Sequence, residues 1–149
     1  MLKYFLYFVV INLIFSLNAS ANELRINSNV LEVDRNSKIS IFSGDVHAYN
    51  EDIKIWSKKI IIKFKNNEKE IEELNAEKRV KIINQGITAT GEIAVYNPDE
   101  NILNMYGNVE VLENNNFVKC DELFLDIKNS TSIMRSATSK RVEALIVNN

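Results

Sequence analysis

One hairpin is written three times into this chain, and that repetition restricts the fold more than any other feature. Gly44-Asp45-Val46-His47-Ala48, Arg79-Val80-Lys81-Ile82 and Gly107-Asn108-Val109-Glu110-Val111 each lead through a polar turn into a second alternating strand. The return strands are Ile60-Ile61-Ile62-Lys63-Phe64, Glu92-Ile93-Ala94-Val95-Tyr96 and Leu123-Phe124-Leu125-Asp126-Ile127. The first and third copies align without a gap, Gly44 to Lys65 against Gly107 to Lys128. A unit of this size reused in one chain implies stacked repeats of a single β architecture rather than a mixed enzyme fold.

Within the repeats, apolar residues recur at period two. Val46/Ala48, Ile60/Ile62/Phe64, Val80/Ile82, Ile93/Val95, Leu103/Met105, Val109/Val111 and Leu123/Leu125/Ile127 are each expected on one face of a sheet. Lys63, Lys81, Asn104, Glu110 and Asp126 fall on the other, which Ile61, Ala94 and Phe124 make less than fully polar. Asparagine, which tolerates left-handed backbone, marks the reversals at Tyr49-Asn50-Glu51-Asp52, Asn84-Gln85-Gly86 and Asn114-Asn115-Asn116. Asn97-Pro98-Asp99-Glu100 reads as a type I turn, with Pro98 fixing φ at its second position. Turns at this rhythm fit an all-β sandwich, barrel or roll. The helix formers between Glu68 and Lys78, with Ile71 and Leu74 three apart, also allow a short helix. A strand is preferred there, because the segment stands before Val80 as Leu103-Asn104-Met105-Tyr106 stands before Val109. Leu24/Ile26 and Val30/Leu31/Val33 supply an opening strand pair. Ile39 to Phe42 is apolar at both parities, so its register depends on whether Gly44 sits in a bulge.

At 149 residues the chain suits one domain. Lys3, an apolar run from Tyr4 to Leu17 and the small residues of Asn18-Ala19-Ser20-Ala21 have the form of a secretory signal peptide, residues 1–21, preceding a domain over 22–149. The alternative is a retained membrane anchor, but the run of about 14 residues falls short of the roughly 20 that a spanning helix needs. Losing Lys3 would move the formal charge from −2 to −3. A mildly acidic chain argues against nucleic acid as a partner, and Lys58-Lys59 and Lys140-Arg141 are pairs too short to alter that.

No set of residues in the chain forms a catalytic constellation. The single histidine, His47, lies between Val46 and Ala48 on the outward parity, and neither a second histidine nor a second cysteine completes a ligand set. Asp45 and Asp121 could be paired on paper, as could carboxylates in any acidic β-protein. Asn129-Ser130-Thr131 has the form of a glycosylation acceptor and reads as a plain turn. Cys120, the one cysteine, occupies a repeat position matched by Ser57 and Thr90, which suits a small side chain inside the sheet. Trp56 and Met105 read as packing residues. Neither a metal nor an organic cofactor is implied.

Two further stretches complete a pattern. Leu24-Arg25-Ile26-Asn27-Ser28-Asn29-Val30-Leu31-Glu32-Val33 at the start and Lys140-Arg141-Val142-Glu143-Ala144-Leu145-Ile146 at the close flank Ser43-Gly44-Asp45-Val46 and Tyr106-Gly107-Asn108-Val109. In that order and spacing, over about residues 23 to 147, the chain resembles the LptA/OstA-like family of periplasmic lipopolysaccharide-transport proteins. The second repeat departs from the pattern, since Glu77-Lys78-Arg79-Val80 lacks the glycine-asparagine pair, and the register of the middle hairpin stays open.

The resemblance implies an open, folded-over antiparallel β-jellyroll, a trough that carries the acyl chains of lipopolysaccharide (lipid A) across the periplasm and bridges the inner and outer membranes. Its lining is then expected at Val46, Ala48, Ile60, Ile62, Val80, Ile82, Ile93, Val95, Met105, Val109, Val111, Leu123 and Leu125. The end strands, with Leu24 and Ile26 first and Val142, Ala144 and Ile146 last, are expected to pair with partners. Those partners are implied to be LptC-like at the inner membrane and LptD-like at the outer membrane, with head-to-tail copies of the chain itself between them. Other readings are a membrane-anchored LptC-like protein, an envelope glycan enzyme that would need an acid pair and an aromatic cleft, and a periplasmic module with a sealed core.

Overall fold

The computed structural model describes residues 23–147; the expected signal peptide, 1–21, lies outside the described residues. The chain runs β1 (Arg25–Asn27), β2 (Val30–Asp34), β3 (Ile39–Tyr49), β4 (Ile53–Phe64), β5 (Ile71–Asn84), β6 (Ile87–Asn97), β7 (Ile102–Glu113), β8 (Asn116–Asp126), β9 (Thr131–Arg135) and β10 (Glu143–Leu145). All ten strands belong to one antiparallel sheet, with β3 to β8 in sequence order. β1 and β2 both lie on β3, and β9 and β10 both lie on β8. No helix occurs among the described residues, and the Glu68–Lys78 stretch enters β5 at Ile71.

The turns close as the asparagines require. Asn50 Oδ1 accepts from the amides of Asp52 and Ile53, Asn67 Oδ1 from Lys69 and Glu70, and Asn97 Oδ1 from Asp99 and Glu100. In each, a side-chain carbonyl replaces a backbone acceptor and fixes the reversal locally.

A crease crosses the sheet at mid-strand. The pairing shifts register between Ser43 and Val46, between Glu77 and Val80 and between Tyr106 and Val109. At those points Gly44 and Asp45 take φ of 80° and 45°, Lys78 and Arg79 take 65° and 55°, and Gly107 and Asn108 take 80° and 46°. Two successive left-handed residues on alternate strands kink the sheet along one line, dividing it into two arms. Gly44 therefore does sit in a bulge, and so does its counterpart in the weak middle copy. Lys78-Arg79-Val80 superposes on Gly44-Asp45-Val46 without a gap, which carries Ser57 to Gly91 and Ile60 to Ala94.

That alignment corrects the sequence reading of β6. β3, β5 and β7 keep the parity of their inward residues through the bulge, whereas β4, β6 and β8 reverse it. Ile60 and Ile62 point inward on one arm and Ser57 and Ile55 on the other; in β6 the corresponding sets are Ala94 with Tyr96 and Gly91 with Ala89. Ala94 is 2% exposed while its neighbour Ile93 is 40% exposed. Ile93 and Val95 thus lie on the outer face, and Ala94 on the inner, because a slip of one residue exchanges the faces of a strand. The same slip replaces Thr90 by Gly91 as the partner position of Ser57 and Cys120.

The arms meet along the inside of the crease. Ile60, Met105, Val46, Val80 and Val109 are the largest fully buried side chains, and they belong to one apolar cluster drawn from both arms. Met105 reaches across toward Gly91, where an added Cβ would lie 3.3 Å from its Cε.

Candidate functional site between the arms

Away from the crease the arms separate around a cavity of about 780 Å³. Its walls are Ile55 and Ile82 from one arm and Ile71, Leu74, Ala76, Ala94, Tyr96 and Leu103 from the other. These positions follow from the register: Leu74, Tyr96 and Leu103 are neighbours across three strands, as are Ile55 and Ile82 across two. Burial raises the Tyr96 phenol pKa, and its hydroxyl lies 3.3 Å from Asn101 Oδ1. Charged groups are confined to the rim. Lys65 Nζ sits 2.7 Å from Asp99 and 3.2 Å from Glu70, pairs that raise its pKa, and Asp52 and Lys69 stand nearby. An apolar chamber with a polar rim suits an elongated hydrophobic ligand bearing a polar end.

The residues expected to line a trough divide into three groups. Ile82 lines the cavity. Val46, Ala48, Ile60, Ile62, Val80, Met105, Val109, Val111, Leu123 and Leu125 face inward but belong to the packed interior or its margin, not to the cavity wall. Ile93 and Val95 face away. The sequence reading missed Ile55, Ile71, Leu74, Ala76, Ala94, Tyr96 and Leu103, and the gapless alignment on Val80 would have recovered Ala94 and Tyr96.

Both ends of the sheet are uncovered. Leu24 and Ile26 pack against the core at the first edge, and Leu24 also touches the cavity. All five residues of β2 are exposed, Val33 at 61%, and all three of β10 are as well. At the last edge Ala144 pairs with Val118, and Val142 and Ile146 flank β10 in exposed positions. The link between β9 and β10 is held by Asp121, which accepts from the Ala137 amide at 2.7 Å and lies 3.5 Å from Lys140 Nζ. That backbone hydrogen bond, with Lys140, lowers the Asp121 pKa.

The remaining candidates lie apart from the cavity. His47 stacks between Tyr49 and Trp56 on the outer face, with centroid distances of 4.8 and 4.7 Å, and Lys81 covers Trp56. Cys120 is buried, which pushes its thiol pKa up and away from reactivity. Asp45 pairs with Lys58 at the crease, while Asp121 is engaged by the β9–β10 link. Among the described residues no group of three or more His, Cys, Asp or Glu side chains could hold a metal.

The comparisons with known proteins agree with this architecture. Residues 25–131 match the family described as LptA/(LptD N-terminal domain) LPS transport protein. No curated protein matches the chain by sequence. Among solved structures the fold is similar to that of LptH, the LptA homologous periplasmic component of the lipopolysaccharide transport device from Pseudomonas aeruginosa. That likeness has a TM-score of 0.75 at 16% identity and covers 85% of this chain and 96% of the other. A family match over most of the domain, on a creased open sheet, places the chain in the LptA/(LptD N-terminal domain) family of LPS transport proteins.

Proposed function

We propose that this protein works in the periplasm as a bridging segment, carrying the acyl chains of lipopolysaccharide between its arms. The observation behind this reading is the apolar cavity with a polar rim, lined by Leu74, Tyr96 and Leu103 on one arm and Ile55 and Ile82 on the other. The side chains there contribute shape and apolar area rather than chemistry, which suits transport and offers no route to bond breaking.

The open ends supply continuity. Strands β3 to β8 alternate in direction, β1 and β2 oppose β3, and β9 and β10 oppose β8. When one copy follows another, β9 meets the next β2, and β10 the next β1, in antiparallel sense, so both arms extend together. The inner row from Leu31 at one edge to Met134 at the other continues unbroken across such a junction. The same edges would receive an LptC-like protein at the inner membrane and an LptD-like protein at the outer membrane.

A photo-crosslinking residue at Leu103 should capture lipopolysaccharide in cells, and one at Ile93 should not. Absence of capture at both Leu103 and Leu74, or equal capture at Ile93, would refute carriage between the arms. Ala144→Pro should weaken head-to-tail assembly, read by light scattering, while leaving the monomer's melting temperature within about 2 °C; undiminished assembly would remove β10 from the junction.

A further inference from the structure

The inner row nearest the crease on the cavity side runs Leu31, Phe42, Ile60, Ala76, Ala94, Met105, Leu123, Met134 across the sheet. Six of these eight side chains are large. The cavity reaches this row at Ala76 and Ala94, which pair directly across β5 and β6, and at none of the others. Where the larger members stand, their side chains fill the space down to the crease, with Ile60 and Met105 fully enclosed. At the alanine pair the row drops to the level of Cβ. The space over the pair is narrow, since Ala76 is 1% and Ala94 2% exposed, and the cavity tapers to its end there. Leu74 and Tyr96 stand beside it one row farther from the crease, and Ile55 and Ile82 face it from the other arm.

We infer that Ala76 and Ala94 form the floor of the acyl chamber and set the length of hydrocarbon tail that the protein accepts. This rests on the proposed carriage of acyl chains and adds the residues that discriminate among them. A straight saturated tail entering past the rim of Asp52, Lys65, Lys69 and Asp99 runs between Tyr96 and Ile82 and ends against the two methyl groups. Its polar head stays at the rim, where Lys65 is engaged by Glu70 and Asp99 and Lys69 stands beside them. Three added carbons at either alanine raise the floor, so a long tail loses burial at its end while a short tail, which does not reach so deep, is unaffected.

The test compares lipid A species that differ only in acyl-chain length, bound to the purified protein and to Ala94→Leu and Ala76→Leu variants, with Val95→Leu, which places the same side chain on the outer face of the same strand, as a control. The inner-face variants should bind the longest-chain species about tenfold more weakly, the loss for roughly two methylenes left in water, and the shortest-chain species within about twofold of wild type. Val95→Leu should match wild type throughout. Uniform weakening at all chain lengths, or an unchanged profile, would overturn the inference. If neither leucine variant melts cooperatively, Ala94→Gly decides instead, since a deeper floor should move the preference toward longer chains and an unmoved preference would refute it. A wild-type protein that binds none of these lipids would overturn the transport reading itself, an outcome distinct from normal binding with no response to the alanines.

Discussion

Glycine at position 78 should stabilise this protein. Lys78 holds φ at 65° where the equivalent residues of the other copies, Gly44 and Gly107, hold 80°. For an ordinary L-residue the left-handed conformation costs about 1–2 kcal/mol, through contact of Cβ with the following carbonyl oxygen. Glycine removes that cost but gives up about 0.4–1 kcal/mol through the greater freedom of its unfolded chain. Lys78 makes no ion pair among the described residues, so nothing electrostatic offsets the gain. The net expectation for Lys78→Gly is about 0.5–1 kcal/mol of added stability, or roughly 2–4 °C in melting temperature. Lys78→Ala keeps the strained φ while deleting the side chain, and should show no gain. The converse substitution, Gly107→Ala, meets the same backbone cost and also places its Cβ 2.9 Å from Cβ and Cγ of Glu92. It should lose about 2–3 kcal/mol or more. Equilibrium urea unfolding of the variants, with the slope checked for constancy, gives these differences directly. If Lys78→Gly is no more stable than Lys78→Ala, the middle bulge is not strained and the account of the crease fails.

Asp121 gives a pH prediction of definite sign. Its pKa is lowered in the folded chain, so its hold on the Ala137 amide is complete above about pH 4 and is lost as the pH falls through the lowered value. Hydrogen exchange at Ala137 should therefore accelerate in acid relative to the exposed-amide reference, and Asp121→Asn should abolish that dependence; an identical profile in the variant would refute it. The parity of β6 is tested by charge. Val95→Lys should stay within about 1 kcal/mol of wild type, as an outer-face change does, whereas Ala94→Lys should cost about 3–5 kcal/mol by burying an unpaired charge. Comparable losses from the two would return Val95 to the interior.

The crease separates what could be read in the sequence from what could not. Alternation identified most of the long strands, though not the start of β3 or of β5, and asparagine located turns at Asn50, Asn84, Asn97 and Asn114 but not the one at Asn67, because both signals are local. Gly44-Asp45 and Gly107-Asn108 were visible as repeats, since glycine and asparagine are the residues that left-handed backbone favours. Lys78-Arg79 takes the same conformation with residues that do not advertise it, and there the register was lost by one. The error then spread along β6, exchanging Ala94 and Tyr96 for Ile93 and Val95. Hydrophobicity favoured the wrong pair, because Ile and Val read as core more readily than Ala and Tyr do. The cavity was invisible for a related reason: whether an inward residue is packed or open depends on its distance from the crease and on the opposite arm, neither of which is a property of its own neighbourhood in sequence.

A chamber of this kind also limits what the protein can do by itself. Moving one 14-carbon tail out of water gains on the order of 10 kcal/mol, whether the destination is a protein interior or a bilayer. On the proposed reading, transfer from membrane to chamber would be close to neutral, and the chamber would hold a lipid without the driving force to extract one. Near neutrality serves a carrier in a chain of carriers, since a tail bound much more tightly at one segment would stay there. Direction would then have to come from an energy source at one end. The fold is compatible with the remaining requirement of the proposed reading, because both edges of its sheet are open, at β1 and β2 and at β9 and β10, and copies paired there would offer a tail one like environment after another.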